Sequence, residues 1–243
     1  MKTSRLLFAF LLLITSHDLG AEPYLAAGIT EAIADVILSA SVPGIVSTWK
    51  FKEGDFVKDK ETIIELDKNL EELEATRRKL VLENRKMELD AITTLSKKGS
   101  ISVKKEELDK AETEYRIAAA EHEMAVEQLR KRSITAPCAG YIAEITRHVG
   151  ESCQPYQPLI RLVDTRRCYF ISNIEAKDAD KLKLEQKVKL EIETGASAIV
   201  LEGKVSFLSP VVDPASGLAK VKILFDNASN KVRPGIAGKM RLE

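Results

Sequence analysis

The sequence predicts an α+β chain, mostly β: a small β module split in two, an antiparallel α-helical coiled-coil hairpin inserted between the halves, and a small β-barrel after them. Three observations predict it. Two β-type segments repeat each other on either side of residues 68–133. Between them the apolar period changes from two to about 3.5. Beyond them, strand-length runs alternate with turn residues.

Residues 1–21 read as a signal peptide. Lys2 and Arg5 form a positive n-region, Leu6 to Ile14 the apolar h-region, and Leu19-Gly20-Ala21 a small-residue cleavage site. The h-region is far short of the roughly 20 residues needed to span a bilayer. No cysteine lies near the cleavage site to accept a lipid. The expectation is an exported chain with neither transmembrane helix nor lipid anchor.

Residues 22–67 are expected to hold one or more N-terminal strands and then the first β segment, which reads Val42-Pro43-Gly44-Ile45-Val46, then Glu53-Gly54-Asp55, then Ile63-Ile64-Glu65-Leu66-Asp67. The second, in 134–166, reads Pro137-Cys138-Ala139-Gly140-Tyr141-Ile142, then Val149-Gly150-Glu151, then Leu159 to Asp164. In both, ten residues separate the two glycines. Each half is too small to bury a core alone, so the halves are expected to pair.

Residues 68–133 are expected to form the hairpin. A first stripe runs through Leu66, Leu70, Leu73, Leu80, Met87 and Ala91, interrupted by Arg77 and Asn84. A second runs through Leu108, Ala111, Tyr115, Ala118, His122, Ala125 and Leu129 in alternating steps of three and four. On this reading Leu73 and Leu80 bury against the opposite arm, and Leu82 and Leu89 lie off the stripe. His122 tunes register rather than binding a ligand. Lys97-Lys98-Gly99-Ser100 marks the turn, and Pro137 cannot continue the second helix.

Residues 167–243 contain strand-like runs at Tyr169 to Ile174, Lys187 to Ile192, Ile199 to Leu208, Leu218 to Phe225 and Ala237 to Leu242, with a short helix near Asp178 to Leu184. Closure into a barrel removes the sheet edges.

Composition excludes several functions. Lys+Arg and Asp+Glu are 37 each, and aromatics are 5%; with no basic excess, nucleic acid is not an expected partner. There is no phosphate-binding loop, no G-x-S-x-G and no CxxC, and nothing pairs a nucleophile with a base. No catalytic, cofactor-binding or metal-binding residue is assigned. Cys138, Cys153 and Cys168 are odd in number and match no zinc spacing, so they read as small core residues.

On Val42-Pro-Gly-Ile-Val, Glu53-Gly-Asp-Phe-Val, Ile64-Glu-Leu-Asp67, Ala136-Pro-Cys-Ala-Gly-Tyr-Ile, Gly150-Glu151 and Val232-Arg-Pro-Gly235, ordered around a helical hairpin, the chain resembles the periplasmic adaptors, the membrane fusion proteins of the HlyD family. The resemblance implies that the split module is lipoyl-like, a barrel-sandwich hybrid. It implies a periplasmic location, no enzymatic activity and no cofactor. It also implies three kinds of partner: an inner-membrane transporter, of RND type for the efflux adaptors, an outer-membrane channel, and further copies in a ring, often hexameric. The family's channel-docking pattern is Arg, Leu four residues on, and Ser seven further. Placed at the turn it selects Leu95 and Ser102, with Ala91 where Arg is expected; the alternative match is Arg85, Leu89 and Ser96. Two other readings stand beside this one. Asp67-Lys68 is similar to the modified tip of a lipoyl or biotinyl carrier, and the helices alone suit a structural exported coiled-coil protein.

Overall fold

The computed structural model describes residues 24–97, 105–195 and 197–242; the predicted signal peptide, most of the predicted turn and Ser102 lie outside them. In chain order the strands are β1 (Tyr24–Ser39), β2 (Gly44–Trp49), β3 (Phe56–Val57) and β4 (Thr62–Leu66), followed by helices α1 (Asn69–Lys97) and α2 (Lys105–Arg130). Then come β5 (Ser133–Thr135), β6 (Gly140–Ile145), β7 (Ser152–Cys153), β8 (Pro158–Glu175) and the single turn α3 (Ala176–Ala179). The chain ends with β9 (Lys187–Thr194), β10 (Ser197–Val212), β11 (Leu218–Asp226) and β12 (Ala237–Leu242).

The sequence repeat becomes a reciprocal exchange of turns. Residues 96 apart do the same work in the two halves. The amide of Gly54 donates to the carbonyl of Ile142 and that of Gly150 to the carbonyl of Val46, each at 2.8 Å. Ile142 N–H returns to Asp55 O at 3.0 Å, and Val46 N–H to Glu151 O at 2.9 Å. Both glycines sit at φ +89°, where a side chain is strained. A second pair of turns follows: Lys60 and Tyr156 take φ 62° and 66°, and their amides donate to Ala136 O and Ala40 O, each at 2.9 Å. Each half thus closes its turns on the other's strands, which is why neither folds alone. One layer of the module is the sheet β5-β4-β2-β7; the other is formed by β3, β6 and the adjoining halves of β8 and β1. Between them lie Val46, Val57, Ile63, Ile64, Leu66, Ile142, Leu159, Ile160 and Leu162.

The barrel closes as β1-β12-β9-β10-β11-β8, with β8 pairing back to β1. Its core is Phe170, Leu190, Ile192, Val205, Val221, Ile223, Phe225 and Met240. The tail strands lie where the alternation predicts them. The sixth staple, β1, is the addition: its first half completes the barrel against β12 and β8, and its second half enters the split module. Gly28 permits this, because a Cβ there would stand 2.3 Å from the carbonyl oxygen of Ile171 and 2.6 Å from the ring of Phe170.

The helices run antiparallel, a direction fixed by ion pairs across them: Arg78 with Glu121, and Arg85 with Glu114 at 3.1 Å. On α2 the buried or half-buried face is the predicted one, with Ala111, Ala118 and Ala125 buried. On α1 the prediction fails. Leu70, Leu73, Leu80 and Met87 are 78%, 68%, 62% and 65% exposed. The inward face is instead Glu71, Ala75, Arg78, Leu82, Arg85, Leu89 and Ile92, a second heptad stripe. Arg78 and Arg85 reach the flanking acids of α2, and this ion-pair register sets Ala75, Leu82 and Leu89 level with the three buried alanines.

Candidate docking surfaces

The described residues contain no cluster of His, Cys, Asp and Glu able to hold a metal. The hairpin exposes a row of large apolar side chains. With Glu71, Arg78 and Arg85 spent on the inner seam, the c and f positions of α1 carry Leu70, Leu73, Leu80 and Met87 outward. A helix with apolar heptads on opposite faces has the pattern of a helix packed from two sides. The charges between the stripes are tied locally: Glu74 receives Arg77 Nη2 at 2.7 Å and Arg78 Nε at 2.8 Å, and these guanidiniums, Arg77 first, hold its carboxyl down to about 2.

At the base of the hairpin Arg132 joins the helices to the split module. Its guanidinium pairs with Glu71 and donates to the carbonyl of Pro43 at 2.8 Å. Gly44 leaves room for it; a Cβ there would stand 2.9 Å from Arg132 Nη1. Lys68 sits at the junction of β4 and α1, 3.1 Å from Glu65 and 3.3 Å from Glu72, which raise its pKa, Glu65 most. It is not at the tip of a β-turn, where a carrier would present its lysine.

The joint between module and barrel is polar. Thr165 donates to Asn230 Oδ1 and Asn230 donates to the Tyr141 hydroxyl, both at 2.8 Å. Buried Asn227 donates to the carbonyls of Thr165 and Val232 at 2.9 and 2.8 Å. Arg166 grips Asp164 with two nitrogens, at 2.9 and 2.7 Å, and holds that carboxyl below the usual carboxylate range.

The three cysteines are free. Cys138 and Cys153 stand 96 residues from Val42 and Val57, at equivalent places in the repeat, and Cys153 is buried as Val57 is. Burial pushes the thiols of Cys138 and Cys168 up, which disfavours the reactive thiolate.

Residues 172–243 match the CusB-like β-barrel domain family. The whole arrangement, a split β module with a helical insertion and a following barrel, superposes on a MacA–MexA chimera carrying the Pseudomonas aeruginosa MexA α-hairpin, at a TM-score of 0.76. That match has 21% identity and covers 90% of this chain and 80% of the other. The chain has the fold of the membrane fusion proteins. A membrane fusion protein of Streptococcus pneumoniae aligns at TM-score 0.69 with 15% identity, over 89% of this chain and 99% of that one. A putative efflux transporter of Bacteroides eggerthii aligns at 0.72 with 19% identity, over 90% and 68%. An uncharacterized protein of Haemophilus influenzae is 22% identical over 216 residues, 88% of this chain. The chain spans 56% of that relative's length.

On this membrane fusion protein fold the predicted docking residues are placed as follows. Leu95 is half-exposed in the last turn of α1, and Ser96 beside it is exposed. Leu89 is half-buried on the seam, and Arg85 is bound to Glu88 at 2.8 Å as well as to Glu114. Leu73 and Leu80, expected on the inner seam, face outward instead. A signal for it exists: Arg78 and Arg85 are seven apart, as are Glu114 and Glu121, which is the spacing of two facing antiparallel stripes.

Proposed function

We propose that this protein is a periplasmic adaptor subunit of a tripartite efflux pump, linking an inner-membrane transporter of RND type to an outer-membrane channel, and that it works by geometry rather than by chemistry. The observation that carries this reading is the two-faced α1. Its inner stripe serves α2, and its outer stripe, Leu70, Leu73, Leu80 and Met87, serves the next copy in a ring. Steps of three and four on both inner faces suit a left-handed coiled coil. The hairpin end reaches the channel and the barrel faces the transporter. The exported, periplasmic location follows from residues 1–21, and no described helix is long and apolar enough to cross a membrane.

At the hairpin end the docking residues are Leu95 and Ser102, the alternative being Arg85, Leu89 and Ser96. The first choice is supported by exposure: Leu95 is 50% exposed, whereas Leu89 turns toward α2 and the Arg85 guanidinium is engaged twice.

Sedimentation velocity of the mature protein, alone and with a partner channel, tests the assembly. Higher oligomers that dissociate on Leu73→Asp and Leu80→Asp are expected. A strict monomer under both conditions sinks the adaptor reading. Channel binding by Leu95→Asp and Leu89→Asp, compared at equal folded fraction, separates the tip alternatives.

A further inference from the structure

Both helices of the hairpin carry a second heptad stripe on the side away from the seam. On α1 it is Leu73, Leu80 and Met87; on α2 it is Ile117 and Met124, seven residues apart and 55% and 60% exposed. Two small residues complete that face of α2, Thr113 and Ala120, four and three residues from Ile117. The Thr113 hydroxyl is satisfied within its own helix, donating to the Asp109 carbonyl at 2.8 Å.

The ion pairs Arg78–Glu121 and Arg85–Glu114 fix which residues of the two helices stand level. On the seam Leu82 is level with Ala118 and Leu89 with Ala111, a large side chain against a small one. The outer stripes repeat the rule in the same register. Leu80 is level with Ala120 and Met87 with Thr113, while Ile117 and Met124 come at heights between the large residues of α1. The knobs of one outer stripe therefore match the holes of the other. Copies related by rotation about an axis along the hairpin keep their heights, so residues level within one hairpin are also level between neighbours.

The charges agree with this fit. Glu83 and Arg116 stand level on the flanks of the two outer stripes; both are exposed, and among the described residues neither makes an ion pair. The other arginines of the two helices, Arg77, Arg78, Arg85 and Arg130, are all paired. We propose that the outer stripe of α1 docks on the outer stripe of α2 of the next copy, with Glu83 of one protomer paired to Arg116 of the other. Such a contact joins two different faces and propagates by rotation, whereas α1 against α1 would stop at a two-fold dimer. The proposal rests on the adaptor reading for the ring and adds the face that receives α1. Toward the tip Asp90 and Asp109 are level and both exposed, and their like charges confine the contact to the part of the hairpin between the split module and Met87.

Sedimentation velocity of the mature chain, with variants matched for helicity by far-UV circular dichroism, tests it. Ile117→Asp/Met124→Asp is expected to dissociate the oligomer as Leu73→Asp/Leu80→Asp does. Glu83→Arg and Arg116→Glu are each expected to weaken association about fivefold, and the double reversal Glu83→Arg/Arg116→Glu to regain it. Oxidation of Glu83→Cys/Arg116→Cys is expected to give a ladder of linked species beyond the dimer. Oligomers that survive Ile117→Asp/Met124→Asp but not Leu73→Asp/Leu80→Asp overturn this inference and leave the adaptor reading standing, because α1 then meets another face. A double reversal without recovery does the same, as do linked dimers from Glu83→Cys alone. A chain that stays monomeric with and without the channel overturns both.

Discussion

Removing two leucines from each stripe of α1 separates the inner face from the outer. Leu82 and Leu89 are half-buried on the inner seam, level with Ala118 and Ala111, whereas Leu73 and Leu80 are 68% and 62% exposed. A fully buried Leu→Ala costs about 2–5 kcal/mol; at half burial each inner leucine is worth ~1–2 kcal/mol. The two lie seven residues, or about 10 Å, apart along the helix, so their effects add, and Leu82→Ala/Leu89→Ala is expected to lose about 3 kcal/mol. Leu73→Ala/Leu80→Ala is expected to stay within about 0.5 kcal/mol of the parent, because exposed side chains leave little cavity and Ala is the better helix former. Urea unfolding followed by far-UV circular dichroism, at a concentration where sedimentation gives a monomer, measures both. If the outer pair loses as much as the inner pair, α1 faces α2 through the stripe that the sequence first suggests, and the register fixed by Arg78–Glu121 and Arg85–Glu114 is wrong. In the proposed ring, the outer pair is expected to become the more damaging.

Three further outcomes follow from the geometry. Gly54→Ala and Gly150→Ala meet no atom within 4 Å but place a Cβ at φ +89°, so each is expected to cost about 1–2 kcal/mol in calorimetry, and the two costs should match; a loss at one site alone breaks the equivalence of the halves. Asn227→Ala leaves the carbonyls of Thr165 and Val232 and the Val232 amide, 3.1 Å from Asn227 Oδ1, without their partner. A loss of about 2–4 kcal/mol is expected, and a loss below about 1 kcal/mol shows that water replaces the side chain. Asp164 and Asp35 are both held below their ordinary pKa, each chiefly by hydrogen bonds from an arginine, Arg166 and Arg161. A depressed carboxylate contributes stability above its unfolded pKa, near 4, and loses it as pH falls through the folded value. Acid unfolding should therefore begin below about pH 4, and Arg166→Gln should move its onset to higher pH.

The β parts were legible because their signals are local. Gly54 and Gly150 mark the turns by backbone freedom, and the alternation in Lys187–Thr194 and Leu218–Asp226 marks strands with one buried face. The repeat also carried more than the pairing of halves. Its 96-residue offset places Cys138 and Cys153 where Val42 and Val57 stand, which accounts for two of the three cysteines as core residues. An N-terminal strand was expected before the first half of the module; what stayed hidden was that β1 joins the barrel. The run Leu25-Ala-Ala-Gly-Ile-Thr-Glu-Ala-Ile-Ala has the composition of a helix former, and its strand conformation is imposed by distant partners, β12 on one side and β8 on the other. Small residues are needed there because the ring of Phe170 lies against Gly28, a contact between residues 142 apart in the chain.

The α1 error has a different cause. Both of its stripes keep the heptad step, and hydrophobicity alone prefers the wrong one, because the outer stripe holds Leu70, Leu73, Leu80 and Met87 while the inner holds Glu71, Arg78 and Arg85. Two facts of pairing decide it. The alanines of α2 at 111, 118 and 125 leave space for larger partners, and Glu114 and Glu121 beside them require cations at the matching spacing. The inner seam is consequently thin: half-exposed ion pairs of this kind contribute about 0–1 kcal/mol each, and the apolar layers between them are alanine against leucine or alanine. A hairpin whose larger apolar stripe faces outward gains more from a neighbour than from its own second helix. Its rigidity should therefore rise on assembly, with amide protection along α1 increasing between monomer and oligomer more than protection in the barrel strands β9 to β11.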